Sequence, residues 1–163
     1  MVWGGICGHA KTRLVIVQGN LNAQKYRDDI LTPVALPFLR QRQQGTILQH
    51  DNARPHTAAL VRDYLNNENV QVLPWPACSP DMNPIEHLWD HLDRQLRKRR
   101  NPPANRQELE NALLQEWDRI VVDATPYCCV HRCQRRSYAV LTPTIQIGNE
   151  INGCCNPNGT FLH

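Results

Sequence analysis

The chain has 163 residues, with Lys+Arg 18 against Asp+Glu 15 and a formal net charge of +3. That length gives one domain with a core large enough to stand without staples, and 41% hydrophobic with 20% charged residues describes a globular chain rather than a disordered one. No apolar stretch reaches the length of a membrane span, the opening MVWGGICGHAK lacks the basic-then-apolar order of a signal peptide, and the seven cysteines, an odd number with two adjacent pairs, fit a reducing compartment better than a disulfide framework.

Val2 to Cys7 and Thr12 to Gln18 read as short strands joined at Gly8, His9 and Ala10 in a hairpin. The unbroken apolar run Leu14 to Val17 suits a strand covered on both faces. Asn22 is a helix N-cap ahead of Tyr26, Ile30 and Leu31 at helical spacing, and Pro33 and Pro37 predict a kink or a second short helix up to Gln43. Thr46 to Asp51 is a further strand, Asn52 to Pro55 a loop, Thr57 to Leu65 a helix, and Val70 to Leu73 a third apolar β run before a Pro-rich bend. The clearest helix runs from Pro84 to about Arg100, with Ile85, Leu88, Trp89, Leu92 and Leu96 as its buried stripe. Another covers Arg106 to Ile120, with Leu109, Leu113 and Trp117 on one face. Strands alternating with helices indicate an α/β layered domain, and after about Leu141 the periodicity fades into a Gly-, Asn- and Cys-rich tail.

Two carboxylates stand where an α/β sheet presents functional groups: Asp51 at the C-terminal end of a strand and Glu86 in the first turn of the strongest helix, separated by positions 52 to 85. Brought together at about 4 Å they would repel by roughly 4 kcal/mol at an effective dielectric near 20. A divalent cation removes that conflict, and hard oxygen ligands suit Mg²⁺ or Mn²⁺, the ions of two-metal phosphodiester chemistry. Each residue also has a plain structural role open to it. Asp51 with Asn52 makes an Asx turn, and Glu86, three residues after Asn83 with Pro84 between, makes an N-terminal cap.

Other groups carry weaker signals. Arg97, Lys98, Arg99 and Arg100, with Arg94 one turn earlier, form a basic helix end that suits DNA phosphates, a nuclear-localisation run, or a solvated C-terminus complementing the helix dipole. Arg54 and His56 follow Asp51 closely enough to touch a substrate phosphate, while Pro55 equally suggests a plain entry into a helix. His87 and His91 have the i, i+4 spacing of a metal pair without the H-E-x-x-H glutamate. Cys128, Cys129 and Cys133 with His131 leave a Cys/His zinc-binding module as an alternative class, although adjacent cysteines are not C-x-x-C knuckles.

The segments QHDNARPHTA (49–58) and WPACSPDMNPIEHLWDHLDRQLR (75–97) closely resemble the transposase domain of the Tc/mariner superfamily, as does the opening VWGGICGHAKTRLVIVQGNLNAQKYRDDIL. The resemblance extends through LLQEWDRI, ending at Ile120, and two linked motifs at matching separation make it specific. It implies a ribonuclease-H-like (retroviral-integrase-type) mixed sheet flanked by helices, and a DDE endonuclease that cleaves and joins DNA in transposition and integration with Mg²⁺ or Mn²⁺. It also implies a nuclear location, no membrane, and a homo-oligomer in the synaptic complex. By position Asp51 matches the second Asp of the family's metal triad and Glu86 the last carboxylate, so both are expected as catalytic metal ligands; Met82 replaces the more usual Leu. The family's first Asp lies on a strand upstream of Val2-Trp3-Gly4-Gly5, so that strand is expected to be missing from the sheet. The domain is therefore read as a partial DDE domain over 1–120, a degenerate C-terminal helix region over 121–141 and a divergent tail over 142–163. The competing function is a non-catalytic nucleic-acid-binding remnant.

Overall fold

The computed structural model describes residues 1–42, 45–74, 83–122 and 138–143, the last as backbone. Strand β1 (Val2–Cys7) is buried at all six residues because both of its faces are covered. It turns at Gly8, with φ +58, into β2 (Ala10–Lys11), and β3 (Val15–Ile16) pairs along its other half, so the expected Thr12 to Gln18 strand shortens to Val15–Ile16, with a break over 12–14 after β2. The break has a cause: the Thr12 hydroxyl accepts the Gly5 N–H at 2.9 Å, and its carbonyl accepts the Trp117 indole N–H at 2.9 Å.

Asn22 caps the next helix as expected, its side chain accepting the Lys25 N–H at 2.8 Å. The run passes from α1 (Ala23–Lys25) through a π-helical stretch (Tyr26–Ala35) into α2 (Leu36–Arg40). Pro33 lies inside the π-helical stretch and, having no N–H, leaves one helical hydrogen bond unmade there. Pro37 lies in the first turn of α2. Strand β4 (Ile47–Gln49) follows, then a single turn α3 (Arg54–Thr57) and helix α4 (Ala59–Asn67). The predicted Val70 to Leu73 strand reduces to one parallel bridge, Leu48 with Val72.

Helix α5 (Pro84–Arg97) buries Ile85, Leu88, Trp89, Leu92 and Leu96, the stripe expected from their spacing. Helix α6 (Arg106–Arg119) starts on a reciprocal cap: the Asn105 side chain accepts the Glu108 N–H at 2.9 Å while its amide donates to the Glu108 carboxylate at 2.8 Å. Its far end is capped by Lys11, whose ammonium donates to the carbonyls of Ile120 at 2.6 Å, Asp118 at 3.1 Å and Trp117. That is the favourable place for a cation on a helix.

The layers divide β1 by alternation. Trp3 and Cys7 enter one core with Tyr26, Ile30, Leu31, Val61 and Leu65, while Val2 and Ile6 enter another with α5 and α6. Gly4 faces α5 and α6, where Trp89 and Trp117 stack at 5.3 Å between ring centroids. A Cβ at Gly4 would stand 2.9 Å from the Trp117 ring, so only glycine admits this approach.

The centre of the sheet departs from expectation. The order is β2-β1-β5-β4, where β5 is Tyr138–Pro143. It pairs antiparallel with β1 from Trp3↔Pro143 to Ile6↔Val140, and parallel with β4 from Ile47↔Tyr138 to Gln49↔Val140. Tyr138 to Leu141 is thus a strand rather than the trace of a helix, Thr142 and Pro143 belong to the sheet rather than to a tail, and the expected gap between β1 and β4 is filled. The other residues of 123–163 lie outside the described set. Deleting residues 138–163 is expected to cost about 3 kcal/mol or more relative to deleting 144–163, by loss of several strand hydrogen bonds at about 1 kcal/mol each. In a thermal melt this corresponds to a midpoint lower by on the order of 10 °C; equal midpoints for the two truncations would remove β5 from the sheet.

Candidate functional site

Asp51 leaves the C-terminal end of β4, two residues past the last β4–β5 pair. The Asx turn that Asp51-Asn52 allows is present: the Ala53 N–H donates to Asp51 Oδ1 at 3.0 Å. A second group reaches the same oxygen, His56 Nδ1 at 2.5 Å. Burial by itself would raise the Asp51 carboxyl, but the His56 hydrogen bond and charge, with the Ala53 N–H and His50, hold it below the ordinary carboxylate range. Its side chain is 38% exposed, so the carboxylate is both ionised and open.

Glu86 lies in the first turn of α5, its N–H donating to the Asn83 carbonyl at 3.1 Å. The Asn83 side chain makes no capping hydrogen bond, and the helix start rests on Pro84 and this backbone bond. Burial, and then the charge of Asp51, push Glu86 up to about 7. The two carboxylates are therefore neighbours electrostatically although 34 positions, 52 to 85, separate them in sequence. One ionised and one raised carboxyl are the kind of hard oxygen donors that could hold a divalent cation.

The other predicted residues divide. Arg54 is exposed in α3. His56, read from sequence as a phosphate contact, has no exposed side-chain surface and is turned inward, so it does not reach a surface ligand. It stacks on His50 at 5.0 Å with 5° between the rings and packs against Tyr26 at 4.3 Å. Tyr26, raised by burial and kept as a hydroxyl, lies 3.3 Å from His50 Nδ1, and burial drives His50 down to about 4. This His50–His56–Tyr26 cluster was not legible as a unit, because Tyr26 comes from a distant helix.

In the basic helix end, Arg94 pairs with Asp90 at 2.5 Å and Arg97 with Asp93 at 2.7 Å along α5. Arg99 ties α5 to α6 through Glu116 at 2.7 Å and Gln115 at 2.9 Å. Lys98 and Arg100 are exposed and, among the described residues, form no ion pair. His87 is exposed and His91 lies 3.5 Å from Gln95; among the described residues no group of three His, Cys, Asp or Glu side chains gathers for a metal ion. Cys128, Cys129, Cys133 and His131 lie outside the described residues, as do Arg132 to Ser137.

Glu86→Gln is expected to stabilise the chain above pH 7. Folded Glu86 binds its proton more tightly than the unfolded residue, so its ionisation penalty is absent below pH 4.5 and complete above about 7. Solvent screening of a half-exposed side chain leaves roughly 1 kcal/mol. The substitution should raise the thermal midpoint more at pH 8 than at pH 5, and an equal effect at both would separate Glu86 from Asp51.

A family model for DDE superfamily endonuclease matches residues 1–110. The chain is similar to the Transposable element Tc1 transposase of Caenorhabditis elegans, 32% identical over 148 residues, which is 85% of this chain and 53% of that protein. It spans about half the length of the curated relatives it matches. Among solved structures it is similar to the Mos1 transposase catalytic domain with Raltegravir and Mg, at TM-score 0.53 and 27% identity over 77% of this chain and 73% of that one. The same domain with Raltegravir and Mn gives TM-score 0.53 and 27% identity over 74% of this chain and 70% of that one. The sheet flanked by helices is accordingly ribonuclease-H-like.

Proposed function

This chain belongs to the DDE superfamily endonuclease family, with Tc/mariner transposases among its relatives, and we propose that it is a DNA-handling domain whose chemistry centres on Asp51 and Glu86 as ligands of Mg²⁺ or Mn²⁺. The family reaction is DNA cleavage and strand transfer in transposition. What supports the assignment is placement: Asp51 follows the C-terminal end of β4 with an open carboxylate, and Glu86 stands in the first turn of α5, half-buried and raised by burial first and then by the charge of Asp51. The bound ion would supply charge neutralisation at the phosphate and a more acidic water or 3′-hydroxyl. Asp51 supplies an ionised oxygen to such an ion without first losing a proton. Glu86 would have to give up its proton to such an ion, so affinity would rise with pH up to about 7. Mg-bound and Mn-bound structures of the Mos1 domain support the choice of ion. A nuclear location and a homo-oligomeric working state belong to the same proposal.

DNA binding is assigned to Lys98 and Arg100, with Arg54 beside Asp51, because Arg97 and Arg99 already hold internal carboxylates. Binding should be weak, independent of sequence and steeply salt-dependent. Replacing Lys98 and Arg100 by Ala should reduce the slope of log K against log salt by about 0.9 for each phosphate that these side chains neutralise. An unchanged slope in a fluorescence-anisotropy titration returns both residues to the role of a solvated helix end.

A second reading, binding without cleavage, is favoured by the composition of β5. The strand beside β4 is YAVLTP and carries no carboxylate, so this end of the sheet offers Asp51 and Glu86 among the described residues where the family resemblance implies three acids. Two ions held in register with a scissile phosphate need more fixed carboxylate oxygens than that. The 163-residue chain is therefore expected not to cut DNA in the presence of Mn²⁺. Nicking that disappears in Asp51→Ala would overturn this and require a third acid from elsewhere in the chain.

A further inference from the structure

We propose that His56 is a positioning residue for Asp51: its Nδ1–H holds Oδ1 and thereby fixes the carboxylate with Oδ2 presented to a cation. The proposal rests on the metal-ligand reading of Asp51 given above, and it concerns a residue whose sequence suggested a surface contact.

Three observations carry it. First, both described donors to the Asp51 side chain converge on one oxygen, Ala53 N–H at 3.0 Å and His56 Nδ1 at 2.5 Å, and none of them engages Oδ2. A carboxylate bonded twice through one oxygen has a fixed plane and a defined remaining lone-pair direction. Second, the imidazole is held in place. Its side chain has no exposed surface, it stacks on His50 with only 5° between rings, and Tyr26 closes on it at 4.3 Å. Its backbone is fixed as well, the His56 N–H donating to the Ala53 carbonyl at 2.9 Å within the turn that Pro55 opens. Third, the tautomer follows from the partners. Nδ1 has the Asp51 carboxylate and the Asp51 carbonyl, at 3.3 Å, as acceptors, whereas Nε2 is buried and reaches no partner among the described residues. Two bare acceptors at 2.5 Å would repel, so the proton sits on Nδ1.

Outer groups that orient a metal ligand typically change metal affinity by about 10–100-fold when removed. The separation of donor from packing comes from two substitutions. His56→Phe keeps a ring of similar size against His50 and Tyr26 but has no donor. His56→Asn loses the ring yet places an amide N–H where Nδ1 stood.

The test uses Mn²⁺ alone as the probe, titrated by electron paramagnetic resonance into the full 163-residue chain, with Asp51→Ala marking which signal belongs to this site. His56→Phe is expected to weaken the Asp51-dependent Mn²⁺ affinity by about tenfold and His56→Asn to recover part of that loss. Unchanged affinity in His56→Phe overturns the proposal and leaves the metal site standing, as does an equal loss in both variants, which would make the role one of packing. A wild-type chain with no Asp51-dependent Mn²⁺ signal overturns the metal reading and this inference with it. On the unsubstituted chain, ¹⁵N–¹H spectra of labelled histidine should show His56 protonated on Nδ1; protonation on Nε2 alone overturns the proposal whatever the variants do.

Discussion

Backbone pairing of Tyr138–Pro143 with two strands at once holds this domain in one piece. β1 and β4 have no pairing with each other; each pairs with β5, on opposite edges. A strand so placed satisfies N–H and C=O groups in the part of the sheet that is least able to reach water, since helices cover both faces. Both cores draw on β1, from its two faces. One is built from the π-helical run and α4 and the other from α5 and α6, so the stability of each depends on a continuous surface between them. The direction of β5 matters as much as its presence. Running parallel to β4, it advances toward the same end of the sheet from which Asp51 emerges, and whatever occupies that slot becomes a neighbour of the acidic site.

The acidic site is a second consequence of the layering. Asp51 follows β4, the last strand of the sheet order, and Glu86 opens a helix packed on one face, so the pair draws on two layers of the fold. Their environments differ sharply. Asp51 has donors from His56 and Ala53 and remains ionised, while Glu86 has burial and a like charge and is raised to about 7. That asymmetry is what an incoming cation would exploit, gaining a ready anion on one side and displacing a proton on the other.

Much of this was legible from spacing. The stripe Ile85, Leu88, Trp89, Leu92, Leu96 marked α5, the turn at Gly8 marked the end of β1 although the next strand starts at Ala10 rather than Thr12, and Asn22 marked a helix start, because each depends on residues a few positions apart. The Asn105–Glu108 cap of α6 was passed over in the sequence, although N-x-x-E is the pattern that makes it. Long-range placement was not legible. Tyr138 to Pro143 has no sequence cue that selects a slot between β1 and β4; a six-residue β run finds its partners by the edges available to it. The Val70 to Leu73 run had strand composition but formed a single bridge at Val72, since composition alone does not supply a partner. The carboxylate pair was legible as two strand-end and helix-start positions, and its motifs carried the family; its electrostatics needed the fold.

His56 shows why residue type near a site is a poor guide to role. Beside Arg54 and Pro55 in an exposed-looking loop, an imidazole suggests a hand held out to phosphate. The single turn from Arg54 to Thr57 reverses that geometry: it leaves Arg54 outside and carries His56 inward against Tyr26, a residue of the distant π-helical run. Burying an imidazole with one nitrogen unpartnered is unfavourable, and it persists where the remaining nitrogen has a strong acceptor. Here that acceptor is a carboxylate at 2.5 Å, so the short turn, the buried ring and the ionised Asp51 depend on one another. A site carboxylate held this way is part of the core on its Oδ1 side and part of the surface on its Oδ2 side, which is how a packed domain can present one fixed anion to an ion in solvent.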